Sequence, residues 1–316
     1  MSDRVRQNLK TSGESQPVHH ERSHMGGQAS AVDVTAMSGE IPYLPHYLEC
    51  FARRPYQMPK YIPRPREFCG PSRTKAEGWR SPTIHLAADC EAVRINFTYR
   101  NGGTSTAACF SAKARCNQYT EGPHERRYLR FLETDYRCID FQFQFARIDW
   151  LTVAGLKRSY TVDGARQTDD GHITFFEIKA CQAYFDEPET ADRLELVEGE
   201  LARHGFGFER IVGRQLVNGV KKKLVDDVFL DRLTRITSDD VCRAVDLIET
   251  AGGCCPLGQL HEILHANRCR AKAMANAMLV RRIVGFSLER PPSPDTLVYI
   301  PQQLPLQACP LRKLKI

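Results

Sequence analysis

Several features that would assign this chain to a common class are missing from its sequence. The N-terminal stretch MSDRVRQNLKTSGESQ contains no apolar segment of the kind a signal peptide requires. No run of residues approaches the roughly 18 apolar positions of a membrane-spanning helix, and we find no internal repeat. We therefore expect a cytoplasmic protein with reduced thiols and no membrane partner.

The 12 cysteines include no C-x-x-C pair. Cys109 and Cys116 are candidate zinc ligands together with His124, but their spacing matches no standard zinc site. Buried or bystander thiols are the favoured interpretation, and disulfides are not expected.

Composition permits a folded core and leaves the partner open. Hydrophobic residues make up 42% of the 316 residues, which excludes wholesale disorder. Lys and Arg number 44 against 38 Asp and Glu, a formal net charge of +6. This balance fits an anionic partner such as nucleic acid, and it fits ordinary solubility charge equally well.

The N-terminal third has little apolar periodicity. Residues 1–40 are rich in Ser, Gly, Gln and His, which predicts a flexible arm. Residues 41–109 form a basic, Pro-rich extension in which Tyr and Trp are interleaved up to Arg80. Such a segment either contacts a DNA backbone or packs as an extended chain on a domain surface.

Residues 110–230 show the pattern of an α/β core. PHERRYLRFLE (Pro123–Glu133) predicts a helix, with Pro123 near its first turn. Residues 138–153 alternate apolar and polar side chains as strands do, and Asp-Asp-Gly within Thr168–Gly171 predicts a hairpin turn. A second helix (Glu189–Gly205) and a further strand (Phe206–Gly213) follow. Helices combined with antiparallel strands indicate an α/β fold.

Residues 236–305 predict three helices and a β-hairpin, the order of a winged-helix-like domain. A basic tail, 306–316, follows it. The third helical segment carries five basic residues that are candidates for DNA binding, although charge on a helix is often only a solvated face. They are Arg268, Arg270, Lys272, Arg281 and Arg282.

The strand ITFFEIKA (Ile173–Ala180) contains charges in an otherwise apolar run. Glu177 and Lys179 are two residues apart, so they project from the same face, and burying unpaired charge is costly. The hairpin brings Asp163 beside them. Two carboxylates at one buried point predict a hard divalent cation, Mg²⁺, for which Mn²⁺ is expected to substitute.

A third acid belongs to the same site. Glu125 shares the apolar stripe of its helix with Tyr128, Leu129 and Leu132. The spacing D-x13-E-x-K from Asp163 to Lys179 is that of PD-(D/E)xK nucleases, in which acids hold Mg²⁺ and the lysine orients water and offsets charge at the phosphate. The alternative is a chance match with an edge-strand salt bridge.

The ordered motifs resemble the TnsA endonuclease family of transposons. FSAKARCNQYTEGPHERRYLRFLETDYRCIDFQFQF is similar to the opening of that catalytic domain, and SYTVDG and FFEIKA match its catalytic Asp and its (Glu/Gln)-x-Lys strand. The resemblance covers about residues 110–213. It departs from the family at Val162, where Pro is usual, and at Gly164, where a bulky apolar residue is usual.

The resemblance implies a restriction-endonuclease-like core and a Mg²⁺-dependent DNA endonuclease. Its catalytic residues would be Glu125, Asp163, Glu177 and Lys179, with the three acids as metal ligands. It implies cleavage of double-stranded DNA at the 5′ ends of a transposon. The partners would be a DDE-type (TnsB-like) transposase and a regulatory AAA+ (TnsC-like) ATPase. Two alternatives stay open: a stand-alone restriction or repair nuclease, and a non-catalytic winged-helix regulator.

Overall fold

A mixed sheet of five strands organises the part of the chain that the structure describes. The computed structural model describes residues 80–94, 105–217 and 219–314, all within one unit of the chain. In chain order its strands and helices are β1 (Arg80–Leu86), β2 (Thr106–Phe110), β3 (Asn117–Glu121), α1 (Gly122–Thr134), β4 (Cys138–Leu151), β5 (Lys157–Thr168), β6 (Ile173–Lys179), α2 (Ala183–Asp186), α3 (Pro188–Arg203), β7 (Gly207–Val212), α4 (Gly219–Asp231), α5 (Ser238–Thr250), β8 (Cys254–Pro256), α6 (Leu257–Leu264), α7 (Arg268–Val280) and β9 (Leu297–Tyr299).

The five strands lie in the order β1-β4-β5-β6-β7. Each neighbouring pair is antiparallel except β6 and β7, which are parallel and joined through α3. The α/β class predicted from the sequence is confirmed. The hairpin turn is also present where the sequence places it, because Gly171 donates its N–H to the Thr168 carbonyl.

One helix covers each face of the sheet. The α1 stripe of Tyr128, Leu129 and Leu132 packs on Phe141, Phe143 and Phe176, while α3 packs on the opposite face around Phe145 and Phe175. Strand β4 therefore contributes Phe143 to one face and Phe145 to the other. Strict alternation would place both on the same face, so β4 contains an irregularity between them, and the register of β4 with β5 shifts at this point.

The core begins earlier than the sequence-based boundary at residue 110. Strand β1 pairs with β4 inside the main sheet, and β2 forms a hairpin with β3. The predicted flexible arm (1–40) and the aromatic, basic part of the extension (41–79) lie outside the described residues.

The C-terminal helices follow the predicted order. Strands β8 and β9 pair antiparallel, and Gly285 bridges to Tyr299 beside them. Helix α5 begins with a capping box in which Thr237 and Asp240 exchange hydrogen bonds. Helix α4, which the sequence analysis did not predict, packs against α7.

The C-terminal tail returns to the sheet. Gln167 on β5 donates through Nε2 to the Cys309 carbonyl at 2.9 Å and accepts the Leu311 N–H at 2.9 Å. Arg312 donates to both oxygens of Asp140. Residues 309–312 thus pack against the sheet, and Leu311 is buried in its core. Within the described ranges, no helix combines the length and apolar character needed to cross a bilayer.

Candidate active site

Strands β5 and β6 part at Asp163 and Glu177, and the residues that the motif predicts meet at this point, which we call the fork. The two strands pair only from Gly164–Phe176 to Gln167–Ile173. The next opposing residues in this register are Asp163 and Glu177. There the ladder stops, and the Asp163 carboxylate accepts the N–H of Ile178 at 2.7 Å. Beyond that point β5 continues beside β4 and β6 beside β7.

Glu177 and Lys179 extend from β6 into this fork. Glu177 is 2% exposed, and its Oε1 accepts a hydrogen bond from the Lys179 ammonium at 2.5 Å. Its Oε2 is buried and makes no hydrogen bond of ordinary length and angle in the described part of the chain, although the Tyr160 hydroxyl lies close enough to interact with this glutamate. Burial disfavours the charged form of Lys179, but the carboxylates of Glu177 and Asp163 outweigh this and raise its pKa. Lys179 is therefore a protonated ammonium at neutral pH.

Glu125 joins the fork from the first turn of α1. It is 7% exposed, and its Oε2 accepts the N–H of Glu121 at 2.7 Å. Burial, and then repulsion from Asp163, raises the pKa of Glu125 to about 10. Burial and repulsion from Glu177 raise the pKa of Asp163 well above its usual range. The three acids therefore lie within electrostatic range of one another, and the cations that act on Asp163 are Lys179 and, more weakly, Arg94.

Polar groups that the sequence analysis did not identify also lie around the fork. Arg94 contacts Glu121 (Nη2 to Oε2, 3.3 Å) beside Glu125. Tyr160 stands on β5 three residues before Asp163, and Arg193 of α3 lies over its ring at 5.7 Å. Burial and the neighbouring Glu177 carboxylate raise the pKa of Tyr160. Because Tyr160 is three residues from Asp163, strict strand alternation would place their side chains on opposite faces, so the sequence contains no signal for Tyr160, and nothing local marks Arg94.

The five candidate DNA-binding residues separate into two groups. Arg268, Arg270 and Lys272 are exposed on the first turns of α7. Arg281 instead donates to the carbonyls of Arg232 and Thr234. Arg282 is 9% exposed and donates to the carbonyls of Tyr136 and Gln302.

The structure gives these two guanidiniums a contact of another kind, because both donate to backbone carbonyls and Arg282 is buried. DNA binding by Arg281 and Arg282 stays a prediction, and Arg268, Arg270 and Lys272 are the more exposed candidates.

The acidic side chains of the fork are the candidate ligands for a metal ion. Across residues 80–94, 105–217 and 219–314, no group of three or more His, Cys, Asp and Glu side chains has the arrangement of a metal site, Cys109, Cys116 and His124 included. The fork nevertheless suits a hard cation by its chemistry: its donors are carboxyl oxygens, and a cation would relieve the repulsion that raises the pKa of Glu125 and Asp163.

In comparisons with known proteins, no family model matches the chain and no curated protein matches it in sequence. The resemblance carried by the motifs therefore stays a prediction.

Proposed function

We propose that the chain is a Mg²⁺-dependent DNA endonuclease with a restriction-endonuclease-like core. The observation that supports this most strongly is the fork. Asp163 and Glu177 face each other where two strands part, Lys179 is paired to Glu177, and Glu125 approaches from α1. Stability alone does not explain three buried acids beside one partly buried ammonium, because replacing buried ion pairs with well-packed apolar residues is often neutral or stabilising.

Each residue has a distinct role in this proposal. Asp163, Glu177 and Glu125 would hold the cation, which when bound polarises a phosphoryl oxygen and lowers the pKa of bound water. The Ile178 N–H fixes the orientation of Asp163. Lys179, anchored on Glu177, places a positive charge beside the reacting phosphate. Hydrolysis adds water across the phosphodiester and breaks the bond from phosphorus to the 3′ oxygen. It leaves a 5′-phosphate and a 3′-hydroxyl.

The C-terminal helices would supply DNA affinity. The order α5, β8, α6, α7, β9 is that of a winged-helix domain, in which α7 is the helix that enters the groove. Only its first turns are exposed, and these carry Arg268, Arg270 and Lys272. We propose that these three contact the phosphate backbone, and that they add affinity more than sequence choice.

The place of this nuclease in transposition is supported by the motif resemblance. On that basis the chain cuts the 5′ ends of a transposon, while a DDE-type transposase cuts and joins the 3′ ends under an AAA+ ATPase. Genes for these two proteins beside the gene for this chain would support the assignment.

The test is cleavage of a transposon-end duplex by the full chain with Mg²⁺ or Mn²⁺, with and without the neighbouring transposase. We expect Asp163→Ala, Glu177→Ala and Lys179→Ala to abolish cleavage without unfolding the protein. Lys157→Ala, which changes an exposed lysine at the start of β5, is the matched control and should cleave normally.

Three outcomes would contradict parts of the proposal. Wild-type nicking by Lys179→Ala would refute the active-site assignment. Full activity on DNA without any partner would favour a stand-alone nuclease. Absence of Mg²⁺ and Mn²⁺ binding by calorimetry would favour a non-catalytic DNA-binding protein.

A further inference from the structure

Gln144 occupies a β-bulge directly opposite Asp163. In the register of β4 and β5, Phe143 faces Gly164 and Ala146 faces Val162. Two residues of β4 therefore oppose the single residue Asp163, which defines a bulge. Gln144 adopts a φ of +51°, in the left-handed region that non-glycine residues rarely occupy.

The side chain of Gln144 is buried without any partner. It is 1% exposed, and neither its Oε1 nor its Nε2 has a hydrogen-bond partner in the described part of the chain. Leaving a buried amide unsatisfied costs about 1–3 kcal/mol. An apolar residue would avoid that cost, so the fold alone gives no reason for an amide here.

Gln142, two residues earlier on the same strand, shows the structural use of a buried glutamine. It is 5% exposed, and its Nε2 donates to the Ala88 carbonyl at 3.0 Å and to the Glu91 carbonyl at 2.5 Å. Its amide thus anchors the segment that follows β1. The contrast indicates that the Gln144 amide is satisfied by a group from outside the chain.

The surroundings indicate that this group is an anion. The Gln144 carbonyl accepts the N–H of Val93 at 2.9 Å, and the next residue, Arg94, reaches Glu121 beside the site. The guanidinium of Arg94 also acts on Asp163, lowering its pKa against the stronger opposing effects of burial and Glu177. A guanidinium that acts on Asp163, on the segment that the Gln144 carbonyl holds, favours a phosphate oxygen over a second cation at this point.

We infer that Gln144 is a substrate-binding residue whose Nε2 donates a hydrogen bond to a phosphate oxygen of the DNA strand in the fork. This inference rests on the proposed nuclease function and adds a residue to it. A contact to phosphate carries no sequence information, so Gln144 acts on every DNA sequence alike.

The experiment compares Gln144→Met with Gln142→Met in the full chain. Three quantities are measured: the thermal midpoint without metal, the affinity for a fluorescein-labelled duplex with Ca²⁺, and cleavage with Mn²⁺. For Gln144→Met we expect an unchanged or higher midpoint, because an unsatisfied amide is removed. We also expect duplex affinity and cleavage to fall about tenfold or more, the loss of one hydrogen bond to a charged group. Gln142→Met should lower the midpoint and leave affinity per folded molecule unchanged.

Gln144→Asn is the second variant, because Asn tolerates a positive φ and its shorter amide falls short of the phosphate. We expect it to keep the wild-type midpoint and to bind the duplex more weakly.

The proposed nuclease function and the proposed role of Gln144 can be refuted separately. Two results would overturn this inference alone. In the first, the wild-type chain cleaves and the Gln144 variants bind and cleave equally well. In the second, the thermal midpoint of Gln144→Met falls as far as that of Gln142→Met while its duplex affinity is unchanged. A wild-type chain that neither binds the duplex nor cleaves it would overturn the proposed function, and this inference with it.

Discussion

Replacing Gly164 with alanine tests whether the fork needs its close strand contact. Gly164 belongs to the last pair of β5 with β6 before Asp163. A Cβ at this position would lie 2.5 Å from Cζ of Phe176, 2.9 Å from its Cε2 and 2.6 Å from the Gln142 carbonyl oxygen. Phe176 is fully buried and makes edge contacts with Tyr128 and Phe143, with ring centroids 5.0 and 5.3 Å apart. Neither obstacle is the free end of a flexible side chain.

The expected loss of unfolding free energy in Gly164→Ala follows from these distances. The added carbon is about 0.9 Å short of ordinary contact, which begins at 3.4 Å. The strands must separate or the Phe176 ring must leave its position. Overpacking of this kind costs about 1–3 kcal/mol, and we expect a loss near the upper end because one obstacle is backbone. Separation would also move Asp163 away from the Ile178 N–H, so Mn²⁺ affinity should fall together with stability.

Gly199→Ala is the matched control. Gly199 lies within α3, and a Cβ there meets nothing within 4 Å. Alanine should therefore stabilise that helix by about 0.5–1 kcal/mol. The assays are urea unfolding and Mn²⁺ calorimetry. If Gly164→Ala unfolded at the wild-type urea concentration and bound Mn²⁺ equally well, the argument that close packing at Gly164 sets the fork geometry would be wrong.

Two further predictions concern buried charge. Lys113→Met should lower the unfolding free energy by about 2–3 kcal/mol, because the buried Lys113 ammonium donates to the carbonyls of Leu132 and Asp135 at the end of α1. Urea unfolding without metal tests this prediction. An unchanged urea midpoint would contradict it. In EDTA, wild-type stability should fall relative to Glu125→Gln as pH rises from 5 to 9. The pKa of Glu125 is raised to about 10 from an ordinary 4.5, so the folded state binds more protons than the unfolded state between pH 5 and 9. The difference in unfolding free energy between the two proteins therefore grows by at most about 1.4 kcal/mol per pH unit. Thermal midpoints of the wild type and Glu125→Gln that changed in parallel with pH would contradict this prediction.

The motif residues were predictable because a hairpin pairs residues symmetrically about its turn. Once Asp-Asp-Gly is recognised as the turn, Asp163 and Glu177 oppose each other and Lys179 shares the face of Glu177. The apolar stripe of α1 likewise places Glu125 toward the core. These inferences need only local periodicity and short-range pairing, which the sequence contains.

The bulge and its surroundings were not predictable in the same way. Phe141, Phe143 and Phe145 form an uninterrupted alternation, yet the last of them packs on the opposite face. The switch depends on the left-handed backbone at Gln144, and glutamine is not a residue that signals this conformation. Arg282 shows a second limit, because its partner carbonyl at Tyr136 is 146 residues away. A charged residue at a helix end gives no sign of so distant a contact.

The buried Glu133 and the buried acids of the fork differ in how far the fold itself satisfies them. The carboxylate of Glu133 is fully buried, and it accepts hydrogen bonds from the Ser111 hydroxyl at 2.5 Å and from the Ala112 N–H at 2.6 Å. Nothing is left for an outside group to satisfy there. At the fork, Glu177 keeps one oxygen without a hydrogen bond of ordinary length and angle, and Gln144 opposite Asp163 keeps its whole amide without one. Since buried polar groups are normally satisfied within the fold, these two unsatisfied groups are the observation on which the proposed cation and phosphate contacts rest.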